Sequence, residues 1–501
     1  AYIDAFGESE LAFKKAYQAL LNNAGHVTLD LGGRKVALRA PIDMAAAVNN
    51  KTTYKQRHVI ENGQFSVFPG AAWDTEVVTS QATYDPGNSK RLVNVVDVAN
   101  IPVGSVIEGN GVGREVYVTA RNIAAQRLDI SQPLFDAAGT QVFTFRRFKY
   151  MLDFSGFEQI SRMVMSEVEF QCSGDCSGIL LPPTGTGFHL RDCFITRPKD
   201  RGISSHGEGD QGMMIDRCQF LSDESPLLST ERVSIGFTAN ANDIKVRDNR
   251  VVHFRHFGVI GGSSSISAGN HVFQGDSALN GIRTAGFVLT RTNNRGTING
   301  NYIDNCFIEW GNEHDQAPEF SGEFSFSALS VTDNVFLASD VAPWFTFIMV
   351  KPHGAGHFLN GVSVNGNSFR GIGGVIDRVE TVDTSFADLD YNRIRNITFD
   401  DNAFHNIQTP AASPIVMEHT EASAETTWVV QPAPMLPFGA WAQVVESVMA
   451  AGPLRDAANA VQYVSPYYQA NQGANSDQIN LRWPLAVSGT VILKVRIDDP
   501  L

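Results

Sequence analysis

The chain has 501 residues, with 39 Lys and Arg against 53 Asp and Glu, a formal charge of −14. That balance, without any Lys- or Arg-rich run, excludes a nucleic-acid partner, because phosphate binding needs a basic face; no apolar stretch approaches the ~18 residues of a membrane span. Five scattered cysteines have no zinc-type spacing, only Cys172 and Cys176 lie close enough for a local bridge, and the set reads as reduced thiols of a chain folded in a cytoplasm.

Residues 9–24 place Leu11, Phe13, Ala16, Ala19, Leu20 and Ala24 at near-helical spacing, with Ser9 as N-cap and Gly25 as the stop. Strands Val27–Leu31 and Lys35–Leu38 are expected across the Gly32-Gly33 turn. Such a helix suits the open end of a solenoid, where apolar core and strand edges would otherwise be bare. Residues 91–146 then interrupt the pattern with Val103-Gly104, a run of Gly109, Gly111 and Gly113, and strand-like Leu128–Leu134 and Gln141–Phe145. They read as a small inserted β module.

From residue 168 to 404 one local pattern recurs: a small or amide residue at a turn, then an apolar residue two places on. The pairs are Val168/Phe170, Cys193/Ile195, Cys218/Phe220, Asn249/Val251, Asn270/Val272, Asn301/Ile303, Asn334/Phe336, Asn367/Phe369 and Asn402/Phe404, at steps of 25, 25, 31, 21, 31, 33, 33 and 35 residues. Residues i and i+2 of a strand share a face, and an amide can both donate and accept. In coils stacked ~4.8 Å apart each Asn can therefore bond its counterparts above and below. Cys172, Cys193, Cys218 and Cys306 read as interior filling. The steps are too long for a hexapeptide β-helix and lack the Leu spacing of leucine-rich repeats. The expected fold class is all-β: a right-handed parallel β-helix with three strands per coil, a β-propeller being the other architecture weighed. The expected units are 1–80 (capping helix and first coils), 81–150 (inserted module), 151–427 (β-helix) and 428–501 (C-terminal cap or oligomerisation domain), the last with a helix at Ala440–Ala450 and strands near Gln478–Trp483 and Gly489–Ile497.

Glycoside hydrolysis needs two carboxylates across a groove, and the densest acidic cluster is Asp304, Glu309, Glu313, His314, Asp315 and Glu319. Aligning Gly202-Ile203, Gly258-Val259, Gly281-Ile282 and Phe307-Ile308 as one stacked strand puts Ser204, Ile260, Arg283 and Glu309 on one outward row. On that reading Glu309, Glu313 and Asp315 are the candidate acids and bases. Arg283, Trp310, Asp304 and His314 would contact sugar hydroxyls and ring faces; the structural alternative is an exposed Glu309–Arg283 ion pair of small weight. A second cluster, Lys351, His353 and His357 with Asp377, Glu380, Asp383, Asp388 and Asp390, offers Lys351 or His353 as the base of a lyase. No metal and no cofactor is expected: Pro352, Gly354 and Gly356 preclude a helix that would pair the two histidines. His206 with Glu208 and Asp210 is a weaker grouping, read as a turn.

The opening helix, glycine turn and strand pair of residues 9–40, together with the ladder over 164–404, resemble the pectate-lyase-like superfamily of β-helix proteins, which includes phage tailspikes and relatives of family 28 glycoside hydrolases. The motif set shared by the family's hydrolases is not found together here; the nearest fragments are Ser205-His206-Gly207, Asp210-Gln211-Gly212 and Ile244-Lys245. Residues 94–145 resemble the small β module of phage tail and fibre proteins. The resemblance implies a homotrimeric spike on a phage or a phage-like gene transfer agent, assembled in a bacterial cytoplasm, that binds a bacterial surface polysaccharide (capsule or lipopolysaccharide) and has depolymerase activity as a further option. The alternatives are a secreted monomeric polysaccharide lyase or glycoside hydrolase, and a purely structural spike.

Overall fold

The computed structural model describes residues 1–322 and 324–498 and is a parallel β-helix. Each coil contributes a strand to a ten-stranded sheet that runs from Ile42–Asp43 through Arg201–Ser204 and Phe307–Gly311 to Glu380–Val382. It then turns into a bent pair of strands, such as Lys245–Arg247 followed by Arg250–Val252, in a second sheet of 20 strands. A third sheet of 4 strands, ending at Gly209–Gln211, exists only in the early coils. Later coils pass this corner as loops, so the expected three strands per coil are made by the bent pair and the ten-stranded sheet.

The bend carries the ladder. Asp248, Gly269, Gly300, Asp333 and Gly366 hold φ between 56° and 68°, a conformation that Gly adopts freely and short polar side chains tolerate. Each turns the next residue, Asn249, Asn270, Asn301, Asn334 or Asn367, into the interior. There Asn249 Nδ2 donates to Asn270 Oδ1 at 2.9 Å, Asn270 to Asn301 at 2.9 Å, Asn301 to Asn334 at 2.9 Å, Asn334 to Asn367 at 3.0 Å and Asn367 to Asn402 at 3.0 Å. The apolar partners stack beside them: Phe336 lies on Phe369 at 4.9 Å and Phe369 on Phe404 at 5.8 Å. Each such buried side chain stabilises the coil by about 1.5–3 kcal/mol. Five free, buried cysteines fill the same interior.

The N-terminal helix spans Ser9–Asn22 and buries Ala12, Phe13, Ala16, Tyr17, Leu20 and Leu21. Its phase differs from expectation at Leu11, which is exposed, and Ser9 accepts from Ala37 N at 3.2 Å rather than capping the helix. The two strands expected next are one, Thr28–Leu38, with a bulge between Asp30 and Arg34 at the paired glycines. The inserted antiparallel sheet begins at Glu76 and ends at Arg147, a little earlier than expected at both ends. At the C-terminus, strand Ile415–Val430 pairs with Gln478–Arg496, so the expected cut at 427/428 falls inside a strand. Val444–Ala450 is also a strand of this sheet and not a helix, since Val444, Val445 and Val448 favour an extended backbone.

Candidate functional site

Strand register settles where the expected site residues lie. Glu309 stands beside Val288 and Met349 in the ten-stranded sheet, because the strand of that coil is Ala285–Leu289, a few residues after Arg283. The row of Ser204, Ile260, Arg283 and Glu309 is therefore corrected: Val259 and Val288, not Ile260 and Arg283, share the row of Glu309. Arg283 is buried and bonds Asp276 at 2.6 Å. Since Glu309 faces out, Trp310 faces in; it is 1% exposed, meets Phe326 edge-on and donates to Arg291 O at 2.7 Å, so no sugar can stack on it. Asp304 sits on the other sheet, where burial pushes its carboxyl up to about 6. Asp315 is held by Asn312 at 3.1 Å, and burial raises its pKa.

Glu309, Glu313 and His314 do come together, but under the inserted module. Arg114, on the glycine-rich loop, bonds Glu309 and reaches Glu313 at 2.8 Å. The ring nitrogens of His314 reach the carbonyls of Arg114 and Pro133 at 2.8 and 3.2 Å. The next residue, Glu115, points the other way and holds Arg201 of the β-helix at 2.6 Å, while Tyr117 and Tyr150 meet on Ser204. Adjacent residues of opposite charge thus lock the module to the β-helix. Burial pushes the Glu309 and Glu313 carboxyls up, but the Arg114 charge and hydrogen bonds more than offset it, holding both below the usual glutamate range. Arg114 keeps these carboxylates from acting as free acids or nucleophiles in this arrangement. The lyase grouping is similarly engaged: Lys351 pairs with Asp383 at 2.8 Å, and His353 lies between Phe135 and Phe386, its pKa lowered to about 4 by burial. His357 is bonded to Pro318 O at 2.7 Å.

Docking the module creates a cleft of about 560 Å³ along the corner where the strands of the ten-stranded sheet end. The module wall gives Lys90, Arg91, Asp129 and Gln132, and the β-helix wall gives Thr184, Glu208, Asn240 and Arg291. A second cleft of about 390 Å³ shares Thr184, Glu208, Asn240 and Arg291 and extends it over Gln159 and Gln211, so the two form one groove. It crosses five successive strands of the sheet, from Ser177–Leu180 to Ala285–Leu289, four steps of about 4.8 Å. Asn240 donates to Gly207 O at 2.9 Å, which leaves its carbonyl oxygen toward the groove. Asp129 is bridged by Arg91 and Arg127, whereas Lys90, Glu208 and Arg291 are exposed. Beneath the floor, burial drives the His206 pKa down to about 4 and the Asp210 pKa up to about 7, so the grouping read as a turn is split, with Glu208 alone facing the groove.

Apart from Glu208, and from Gly207 and Gln211 in the motif-like fragments, the groove residues carried no sequence signal. They sit on corner loops of changing length, and the module residues that face them are separated from the β-helix wall by tens to hundreds of positions.

No protein-family model matches the chain, and no curated protein matches it. Among solved structures it is similar to the tailspike protein gp49 from Pseudomonas phage LKA1, at 11% identity and TM-score 0.35 over 96% of this chain and 92% of that one. The Dettilon tailspike protein gives 11% identity and TM-score 0.39 over 98% and 92%. A tailspike double mutant of E. coli bacteriophage HK620, in complex with pentasaccharide, gives 11% and 0.38 over 98% and 90%. The fold assignment stands on the chain's own strand register, which is that of a parallel β-helix.

Proposed function

We propose that the chain is a virion-associated spike that adsorbs to a bacterial cell-surface polysaccharide, capsule or lipopolysaccharide, through the groove between the inserted module and the β-helix. The observation that carries this reading is the groove itself: long, polar, built jointly by two units, and lined by amide, hydroxyl and charged side chains suited to sugar hydroxyls. Three cations, Lys90, Arg91 and Arg291, face two carboxylates, Asp129 and Glu208. In a chain of formal charge −14 this local excess suits a neutral or sparsely anionic glycan. Recognition is favoured over cleavage because Glu309 and Glu313 are held by Arg114 outside the groove. Self-association as a homotrimer is supported by the exposed aromatic and aliphatic side chains of the C-terminal sheet and its connections, among them Tyr463, Tyr467 and Tyr468.

The test incubates the protein with capsule and lipopolysaccharide from candidate hosts and follows co-sedimentation, reducing ends and unsaturated uronates. Co-sedimentation without new ends is expected. Release of new ends would make the protein a depolymerase and return attention to the carboxylates, and absence of any binding would overturn the reading. Two substitutions locate the binding. Arg291→Ala with Lys90→Ala is expected to weaken retention roughly tenfold or more, on the scale of ~1.5–3 kcal/mol for a charged hydrogen bond, and to flatten its salt dependence. Glu208→Trp, at an exposed lining position, fills the groove and is expected to abolish retention while leaving the melting temperature nearly unchanged; retention at the wild-type level would place the glycan elsewhere.

A further inference from the structure

Further along the same sheet, around the loops that lead into Ala285–Leu289, Phe307–Gly311 and Ile348–Lys351, lies another concavity of about 390 Å³, formed by Ile282, Arg283, Phe307, Trp344, Phe345 and Met349. It shares no residue with the groove, and its walls are of a different kind. Trp344 is 63% exposed and Ile282 56%. An isolated exposed apolar side chain is ordinary, but an apolar wall around a concavity, with a few polar groups at fixed places, is the make-up of a small-ligand site. The base is firm: Phe345 N donates to Ala342 O at 2.9 Å, closing the turn that carries Trp344, and the Phe345 ring meets Phe307 at 6.3 Å and Phe347 at 5.0 Å, both edge-on.

Below the apolar wall the base is charged but closed. The Arg283 side chain is 1% exposed, and its Nε has no hydrogen-bond partner among the described residues. The other nitrogens are used: Nη1 bonds Asp276 at 2.6 Å, and Nη2 lies 3.3–3.4 Å from the carbonyls of Ala278, Ser339 and Asp340. At the rim, Asp383 Oδ1 accepts from the Ser385 amide and hydroxyl and Oδ2 holds Lys351 at 2.8 Å, which leaves the second lone pair of Oδ2 for a hydroxyl.

We propose that this concavity is a second saccharide subsite that takes one pyranose bearing a methyl group, as a 6-deoxyhexose or an N-acetylated hexosamine does. The face of an indole is electronegative and attracts the C–H bonds on the apolar face of a sugar ring. With the ring on Trp344, the methyl group enters the space among Ile282, Phe345 and Met349, and a hydroxyl donates to Asp383 at the rim. The inference does not rest on the groove reading. If both hold, one polysaccharide engages two subsites on a single rigid sheet and gains by avidity.

The experiment is saturation-transfer NMR on the full chain with L-rhamnose, N-acetylglucosamine and glucose, each at millimolar concentration. Transfer to methyl and ring protons of rhamnose or N-acetylglucosamine, and little to glucose, is expected, and the stronger of the two identifies which methyl-bearing class fits. Trp344→Ala is expected to lower affinity about tenfold, the worth of one stacked aromatic, with Trp344→Phe recovering part of it. Ile282→Asp keeps the indole but places a charge in the methyl space and is expected to remove the signal, while the groove variant Arg291→Ala keeps it. Both altered residues are exposed, so unchanged melting curves verify the fold. No transfer to either methyl-bearing sugar, or equal transfer with Trp344→Ala, would overturn the proposal.

Discussion

Arg114→Ala is expected to lower the unfolding free energy by about 3–5 kcal/mol, the range for stranding buried charges without their partner, and to reverse the pH dependence of stability. In the wild-type chain Glu309 and Glu313 have folded pKa values below the usual glutamate range: burial acts upward, and Arg114 overcomes it. A depressed carboxylate pKa contributes stability that is fully present above the unfolded value and is lost as pH falls through the folded value. Without Arg114, burial and the mutual repulsion of the two carboxylates outweigh the weaker pull of His256, His314 and His353, and the folded pKa values rise. The variant then carries a penalty near neutrality that is relieved as the pair takes up protons. Urea denaturation at about pH 7 and about pH 5, above and near the ordinary glutamate range, distinguishes the cases: the variant gains stability on acidification where the wild type does not. A loss below ~1 kcal/mol at both pH values would mean that the seam is an ordinary surface ion pair. Because Lys90, Arg91 and Gln132 reach the groove only when the module is docked, the variant should also lose polysaccharide retention near neutrality and regain part of it in acid.

This seam also marks the limit of what could be read in the sequence. The ladder was legible because the same physical demand, a left-handed turn residue followed by a side chain that bonds both neighbours, recurs in every late coil and leaves Asn in the same place from Asn249 to Asn402. The direction of Trp310 was legible in principle, since strand alternation sends it opposite to Glu309. Arg283 falls outside the strand because the corner between the ladder and Ala285–Leu289 varies in length from coil to coil. Arg114 carried no signal at all: its partners Glu309 and Glu313 are 195 and 199 positions away, and nothing periodic connects an inserted module to the coil on which it lands. The groove was hidden for the same reason, because Thr184, Asn240 and Arg291 occupy equivalent corners without sharing a residue type.

Asn301→Ala tests the ladder where it is best buried. Asn301 is 1% exposed; its Oδ1 accepts from both Asn270 N and Asn270 Nδ2 at 2.9 Å, and its Nδ2 donates to Ser267 O at 3.0 Å and to Asn334 Oδ1 at 2.9 Å. Alanine leaves two donors on the coil before without an acceptor, and the interior is too closely packed with side chains for water to replace them. At ~1–3 kcal/mol for each unsatisfied buried group, the loss is expected to be roughly 2–6 kcal/mol by chemical denaturation. Asn402 is the end rung and half-buried; its partner Asn367 is buried, but removing the half-exposed Asn402 side chain opens a path for water to it, so Asn402→Ala should cost only about 1 kcal/mol. Equal losses at the two positions would show that the amides fill space and do not bond in series. Asn301→Asp separates the two halves of the bond set. Its carboxylate still accepts from Asn270 but faces Asn334 Oδ1 with a negative charge, so burial and that contact raise its folded pKa above the unfolded one. The resulting penalty is present at neutral pH and falls on acidification, when the protonated oxygen can donate to Asn334 as the amide did. In a stack where each coil is stabilised mainly by its two neighbours, such a mid-ladder charge should also split the unfolding transition, with the coils before and after residue 301 melting apart at neutral pH and together in acid.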